Sequence, residues 1–143
     1  MSSERLEKFQ ANAGLQPEEI LRKDMDIYFS DEFVEHHPED IEEFIEISLR
    51  HYQPADAFFR QFDACRRHDT VDRLKRIAVP TLIMTGDDDP LVPPENSYIL
   101  KELIPAAELL VFPGGRHCVM IEKPGQYNKK VIDFFKATGG RTE

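Results

Sequence analysis

The chain has 143 residues, 41% hydrophobic and 31% charged, which is the balance of one globular domain able to bury a core. Its net charge is −9 with no basic stripe to neutralise a phosphate backbone, so no nucleic-acid partner is expected. No apolar run approaches the roughly 20 residues that cross a bilayer, and the start MSSERLEKFQ lacks the apolar segment of a secretory signal; no membrane association and a cytoplasmic location are expected.

Residues 1–75 read as helices separated by proline breaks. Pro17 opens EEILRKDMDIYF, with Ile20, Leu21, Met25 and Tyr28 near one face. Pro38 opens EDIEEFIEISL, whose inner stripe is Ile41, Phe44, Ile45, Ser48 and Leu49. From Asp31 to Glu46 there are eight carboxylates and no Lys or Arg, which reads as a solvated face. Pro54 opens a third helix in which Ala57, Phe58, Phe62 and Cys65 can pack together. TVDRLKRI gives a short helical turn with Thr70 as its expected cap.

At residue 76 the second region begins, and the period changes. Thr81 to Thr85, between Pro80 and Gly86, is a strand buried on both faces. A helix from Pro94 to Ile104 follows, its inner stripe Tyr98, Ile99, Leu103 and Ile104. Glu108 to Phe112 is the second strand. A helix from Pro124 to Lys136 is expected to bury Tyr127, Val131, Ile132, Phe134 and Phe135, and the tail TGGRTE to fray. Met84 and Met120 read as core. The fold class is therefore α/β: a helical region over 1–75, then a βαβα unit of two parallel strands over 76–143. Two parallel strands make a poor sheet, so a second chain is expected to complete it, either a missing N-terminal half or another copy.

The chemistry concentrates at the strand ends. Asp87, Asp88 and Asp89 follow the first strand, and His117 leaves the second through Pro113-Gly114-Gly115-Arg116. Open α/β sheets form sites beyond the carboxyl ends of their strands, where a carboxylate can orient an imidazole that acts as base. Three aspartates can equally be plain turn formers, and a lone histidine is often structural. Cys65 and Cys118 lack metal-type spacing and suggest no disulfide framework. Glu35-His36-His37 with Glu39 and Asp40 lies in an acidic connection and reads as solvated rather than metal-binding. Neither a metal nor a cofactor is expected.

HDTVDRLKRIAVPTLIMTGDDDPLVPPENS and IPAAELLVFPGGRHCVMIEKPGQYNKKVIDFF together resemble the C-terminal half of an α/β-hydrolase, in the branch of haloperoxidase-like esterases, enol-lactonases and C–C bond hydrolases. The spacing Gly-x-x-Asp-x-x-x-Pro, Gly86 to Pro93, implies Asp89 as the catalytic acid with Asp88 as fallback, and the histidine turn implies His117 as the base. The helices of residues 17–68, including IYFSDEFVEHHPEDIEEFI, resemble the lid of these enzymes. Two departures stand out. Arg116 occupies the place where the family usually has Gly, and none of Ser2, Ser3, Ser30, Ser48 and Ser97 sits in the Gly-x-Ser-x-Gly elbow that carries the nucleophile. The resemblance thus implies ester- or lactone-type hydrolysis of a small apolar substrate, with a serine supplied from outside this chain. The alternatives are an inactive remnant serving as an oligomeric or binding module, and a chain active alone through Cys118.

Overall fold

A computed structural model describes residues 14–50 and 53–139. The polar start and residues 140–143 of the expected frayed tail lie outside them, as does part of the 1–75 region. The helical part holds α1 (Pro17–Lys23), α2 (Met25–Tyr28), α3 (Asp31–His36), α4 (Pro38–Arg50), α5 (Ala55–Arg67) and α6 (Val71–Leu74). The rest holds β1 (Thr81–Gly86), α7 (Glu95–Leu103), β2 (Ala107–Phe112), α8 (Val119–Glu122) and α9 (Pro124–Thr138).

The expected single helix after Pro17 is in fact two, because Asp24 leaves helical geometry at φ −97°, ψ 16° and closes α1 through its N–H to the Ile20 carbonyl. A further helix, α3, precedes α4 within the acidic stretch read as a solvated face. Its start is fixed by Ser30, whose hydroxyl oxygen accepts from the Phe33 N–H at 3.3 Å. Thr70 does not cap α6 with its side chain; Asp69 accepts from the Val71 N–H at 3.1 Å instead. The apolar stripe of α4 packs as its spacing dictates. Ile41 and Ile45 join Met25, Phe29 and Phe33 in one buried cluster, with Phe29 fully enclosed and set edge-on to Phe44 at 5.0 Å. All eight carboxylates between Asp31 and Glu46 are exposed, as a solvated face requires. Along α5 the Phe58 and Phe62 rings stack at 6.2 Å, but Cys65 is exposed and takes no part.

β1 and β2 pair in parallel, with Thr81 opposite Ala107 and Gly86 opposite Phe112. These are the two strands of the sheet among the described residues. Ile83, Ile104 and Ala107 form its core, with Leu74, Ile77, Leu100 and Leu109 packed on it. The helices cover this narrow base incompletely. Tyr98 and Ile99 on α7, and Ile132 and Phe135 on α9, were expected inside and are each about half or more exposed; Met120 is also exposed. The reason is geometric: a pair of strands about 5 Å apart offers a helix too little surface to bury its whole apolar stripe.

Candidate functional site

The site forms because the two strand ends are fastened together residue by residue. Gly86 ends β1 opposite Phe112, the last residue of β2. The Asp87 N–H then donates to the Phe112 carbonyl at 3.2 Å and the Asp88 N–H to the Gly115 carbonyl at 3.1 Å. Gly114 takes φ +66°, a left-handed conformation suited to glycine, and this bends the chain back over β1.

Each aspartate of the acidic turn reaches a different point of the histidine turn. Asp87 accepts from the Gly114 N–H at 2.6 Å. Asp88 accepts from the Arg116 guanidinium at 3.1 Å. Asp89 meets His117, its Oδ2 lying 3.0 Å from Nδ1. The other Asp89 oxygen, Oδ1, accepts from the Leu91 N–H at 2.7 Å and the Val92 N–H at 2.9 Å. Asp89 is therefore a turn former and the imidazole's partner at once; the two sequence readings of this triplet describe two oxygens of one carboxylate. Burial separates it from its neighbours. The Asp89 side chain is 8% exposed, against 63% for Asp88.

A carboxylate held this way accepts the Nδ1–H of a neutral imidazole, which places the lone pair on Nε2. The His117 side chain keeps about a third of its surface open. Arg116, the departure from the usual glycine, does not disturb this. Its guanidinium turns away from the ring to Asp88 and to the Asp26 carbonyl.

The remaining candidates scatter. Ser30 caps α3, the Ser48 hydroxyl donates to the Phe44 carbonyl at 2.7 Å, and Ser97 is buried in α7. In the Glu35–Asp40 segment His36 binds the Glu32 carbonyl and His37 pairs with Asp40 at 3.2 Å. Among the described residues no group of three His, Cys, Asp or Glu side chains is placed to hold a metal ion. Nor is any helix among them long and apolar enough to cross a membrane.

Cys118 follows the histidine but packs against the cluster of Met25 and Phe29. Burial first, then the charges of Glu122 and Asp89, push its thiol up to about 11 from the usual 9.0. A thiol raised this far carries roughly 100-fold less thiolate at neutral pH than an ordinary cysteine, so Cys118 makes a poor nucleophile. Stopped-flow labelling with a maleimide at pH 7.5 is expected to show one fast thiol, the exposed Cys65, and Cys118 slower by about that factor. Equal rates for the two would contradict this assignment.

One residue that sequence patterning did not single out is Glu122, at the end of α8. Its carboxylate accepts from the Arg116 N–H at 2.8 Å and from the Ser30 N–H at 2.6 Å. The signal for it was weak: a lone acid closing the otherwise apolar run CVMI, five residues beyond the histidine.

The sequence model described as alpha/beta hydrolase fold matches residues 3–124. The protein named "Putative carbamate hydrolase RutD" in Rhizobium rhizogenes is 38% identical over 89 residues, which are 62% of this chain and 34% of that one. The esterase EaEST from Exiguobacterium antarcticum superposes with a TM-score of 0.79 at 22% identity, covering 95% of this chain and 49% of the esterase. A meta-cleavage product hydrolase, CumD, is 29% identical with a TM-score of 0.66, covering 84% of this chain and 46% of that one. The chain thus spans about a third of the curated relatives' length and about half of the solved structures'.

Proposed function

Since the chain belongs to the α/β-hydrolase fold family, we propose that Asp89 and His117 are the acid and base of a Ser-His-Asp triad whose serine is carried by sequence outside these 143 residues. The observation that supports this reading is the 3.0 Å contact between His117 Nδ1 and an Asp89 carboxylate whose second oxygen is locked by two backbone N–H groups. In the reaction, His117 Nε2 takes the hydroxyl proton as the serine oxygen bonds to the substrate's acyl carbon. It returns that proton to the departing oxygen, leaving an acyl-enzyme. A water molecule then attacks the acyl carbon, His117 accepts its proton, and the serine leaves reprotonated. Asp89 stays charged throughout and stabilises the imidazolium.

The substrate class is an ester or lactone, in keeping with the sequence likeness to haloperoxidase-like esterases and enol-lactonases. Carbamate is a further acyl class, suggested by the name of the Rhizobium relative. In this reading residues 1–75 are the lid and 76–143 the segment bearing the acid and base. The partner is the nucleophile-bearing half, which adds strands to the open sheet. The half-exposed Tyr98, Ile99, Ile132 and Phe135 are the surface it would cover.

A second reading rests on that same surface. An inactive chain would bury it against another copy of itself. The two readings separate in one assay with a p-nitrophenyl ester. The 143-residue chain alone is expected to give no turnover, and adding a hydrolase half bearing Gly-x-Ser-x-Gly is expected to produce turnover that His117→Ala abolishes. A chain that dimerises by light scattering and stays inactive with every added half would favour the second reading.

A further inference from the structure

The turn that carries His117 is tied on its far side to the helical region. Three bonds run between residues 26–30 and residues 116–122: Arg116 to the Asp26 carbonyl, the Cys118 N–H to the Tyr28 carbonyl at 2.9 Å, and Glu122 to the Ser30 N–H at 2.6 Å. Glu122 differs from the other two in reaching back to its own turn as well. One carboxylate oxygen holds the Arg116 N–H, in the peptide that joins Gly115 to Arg116; the other holds the Ser30 N–H, 92 residues away in the chain. Both bonds are charge-assisted and part-buried, the circumstances in which a hydrogen bond fixes geometry most firmly. Asp89 fixes the ring of His117 while Glu122 fixes the Gly115–Arg116 peptide, one peptide unit before the histidine.

Building on the acid–base reading of Asp89 and His117, we propose that Glu122 is a positioning residue: it clamps the backbone of the histidine turn to Ser30, so the orientation of the His117 ring depends on the helical region being docked. Residues 26–30 are accordingly a fixed part of the site's frame. Glu122 does not touch the reacting atoms and acts through His117.

Two kinds of variant isolate the clamp. Glu122→Ala removes both bonds. Ser30→Pro removes one donor, and its backbone already suits proline: Ser30 lies at φ −68°, and Phe29 before it is extended at φ −134°, ψ 151°. Ser30→Ala keeps the N–H and loses only the α3 cap, which makes it the control.

The readout is the ¹⁵N spectrum of the neutral His117 ring in the 143-residue chain, where a protonated and an unprotonated ring nitrogen are distinguished directly. The native chain is expected to show one tautomer, with the proton on Nδ1. Glu122→Ala is expected to lose that single-tautomer spectrum and show both forms. Ser30→Pro should show a partial loss and Ser30→Ala none. If Glu122→Ala does not fold, Glu122→Gln, which keeps the volume but only one acceptor oxygen, is judged by the same spectrum. A folded Glu122 variant with an unchanged ring spectrum overturns the proposal. The measurement involves no turnover, so it stands or falls separately from the hydrolytic reading.

Discussion

Asparagine in place of Asp89 is expected to lower kcat of the completed hydrolase by about 10⁴-fold while leaving the fold in place. The asymmetry of the native contacts explains both halves of that expectation. An asparagine oxygen can stay where Asp89 Oδ1 is and keep accepting from the Leu91 and Val92 N–H groups, so the turn survives. The amide nitrogen then occupies the place of Oδ2 and donates toward His117 Nδ1. The ring must answer with a lone pair on Nδ1 and carry its proton on Nε2. In that tautomer Nε2 cannot take a proton from the nucleophile, and the imidazolium loses its counter-charge as well.

Steady-state kinetics on a p-nitrophenyl ester checks this, with Asp88→Asn beside it. Asp88 is exposed and bound to Arg116, so its variant is expected to keep activity within about threefold of the native enzyme, the scale of a lost surface ion pair. Should Asp88→Asn abolish turnover while Asp89→Asn retains it, the acid has been assigned to the wrong residue. Asp89→Ala is a harsher variant for a different reason. It also strips the acceptor from two backbone N–H groups, which adds about 1–3 kcal/mol of instability to the chemical defect.

That the acidic turn of Asp87, Asp88 and Asp89 meets the histidine turn was legible in the sequence, because parallel strands bring the turns after them to one edge of the sheet. The choice of Asp89 among the three came from the resemblance to α/β-hydrolases. Local rules carried the stripe of α4 equally well, since Ile41 and Ile45 lie on one face by spacing alone. The failures share a cause. Tyr98, Ile99, Ile132 and Phe135 have the periodicity of buried residues, and that periodicity is correct for a wider sheet than two strands provide. Pattern reports which face is apolar and says nothing about what lies against it. Glu122 was missed for the opposite reason. Its partners are backbone N–H groups supplied by residues 30 and 116, and a main-chain donor leaves no mark on the sequence.

Alanine at Gly86 is expected to destabilise the chain by about 3 kcal/mol, or roughly 10 °C in Tm, and to cost the completed enzyme about 100-fold in kcat. The cause is the closeness of the two turns. A Cβ at Gly86 would lie 1.9 Å from the Gly115 carbonyl oxygen and 2.4 Å from its carbon, both main-chain atoms that no rotamer change can move aside. Relief to even a tight contact needs a shift of about 1 Å, which stretches the bond from the Asp88 N–H to the Gly115 carbonyl, now 3.1 Å. Because Gly115 lies two residues before His117, the same shift carries the imidazole away from Asp89. Stability and catalysis should therefore fall together. Gly125 is the matched control, for it lies in α9 with nothing within 4 Å of its would-be Cβ. Gly125→Ala is expected to stabilise by about 0.5–1 kcal/mol, since alanine is the better helix former. Thermal unfolding followed by circular dichroism measures both variants. A Gly86→Ala chain that melts within 2 °C of the native one, on the ~3 °C per kcal/mol expected at this size, would show that the turns are not held as closely as the site requires.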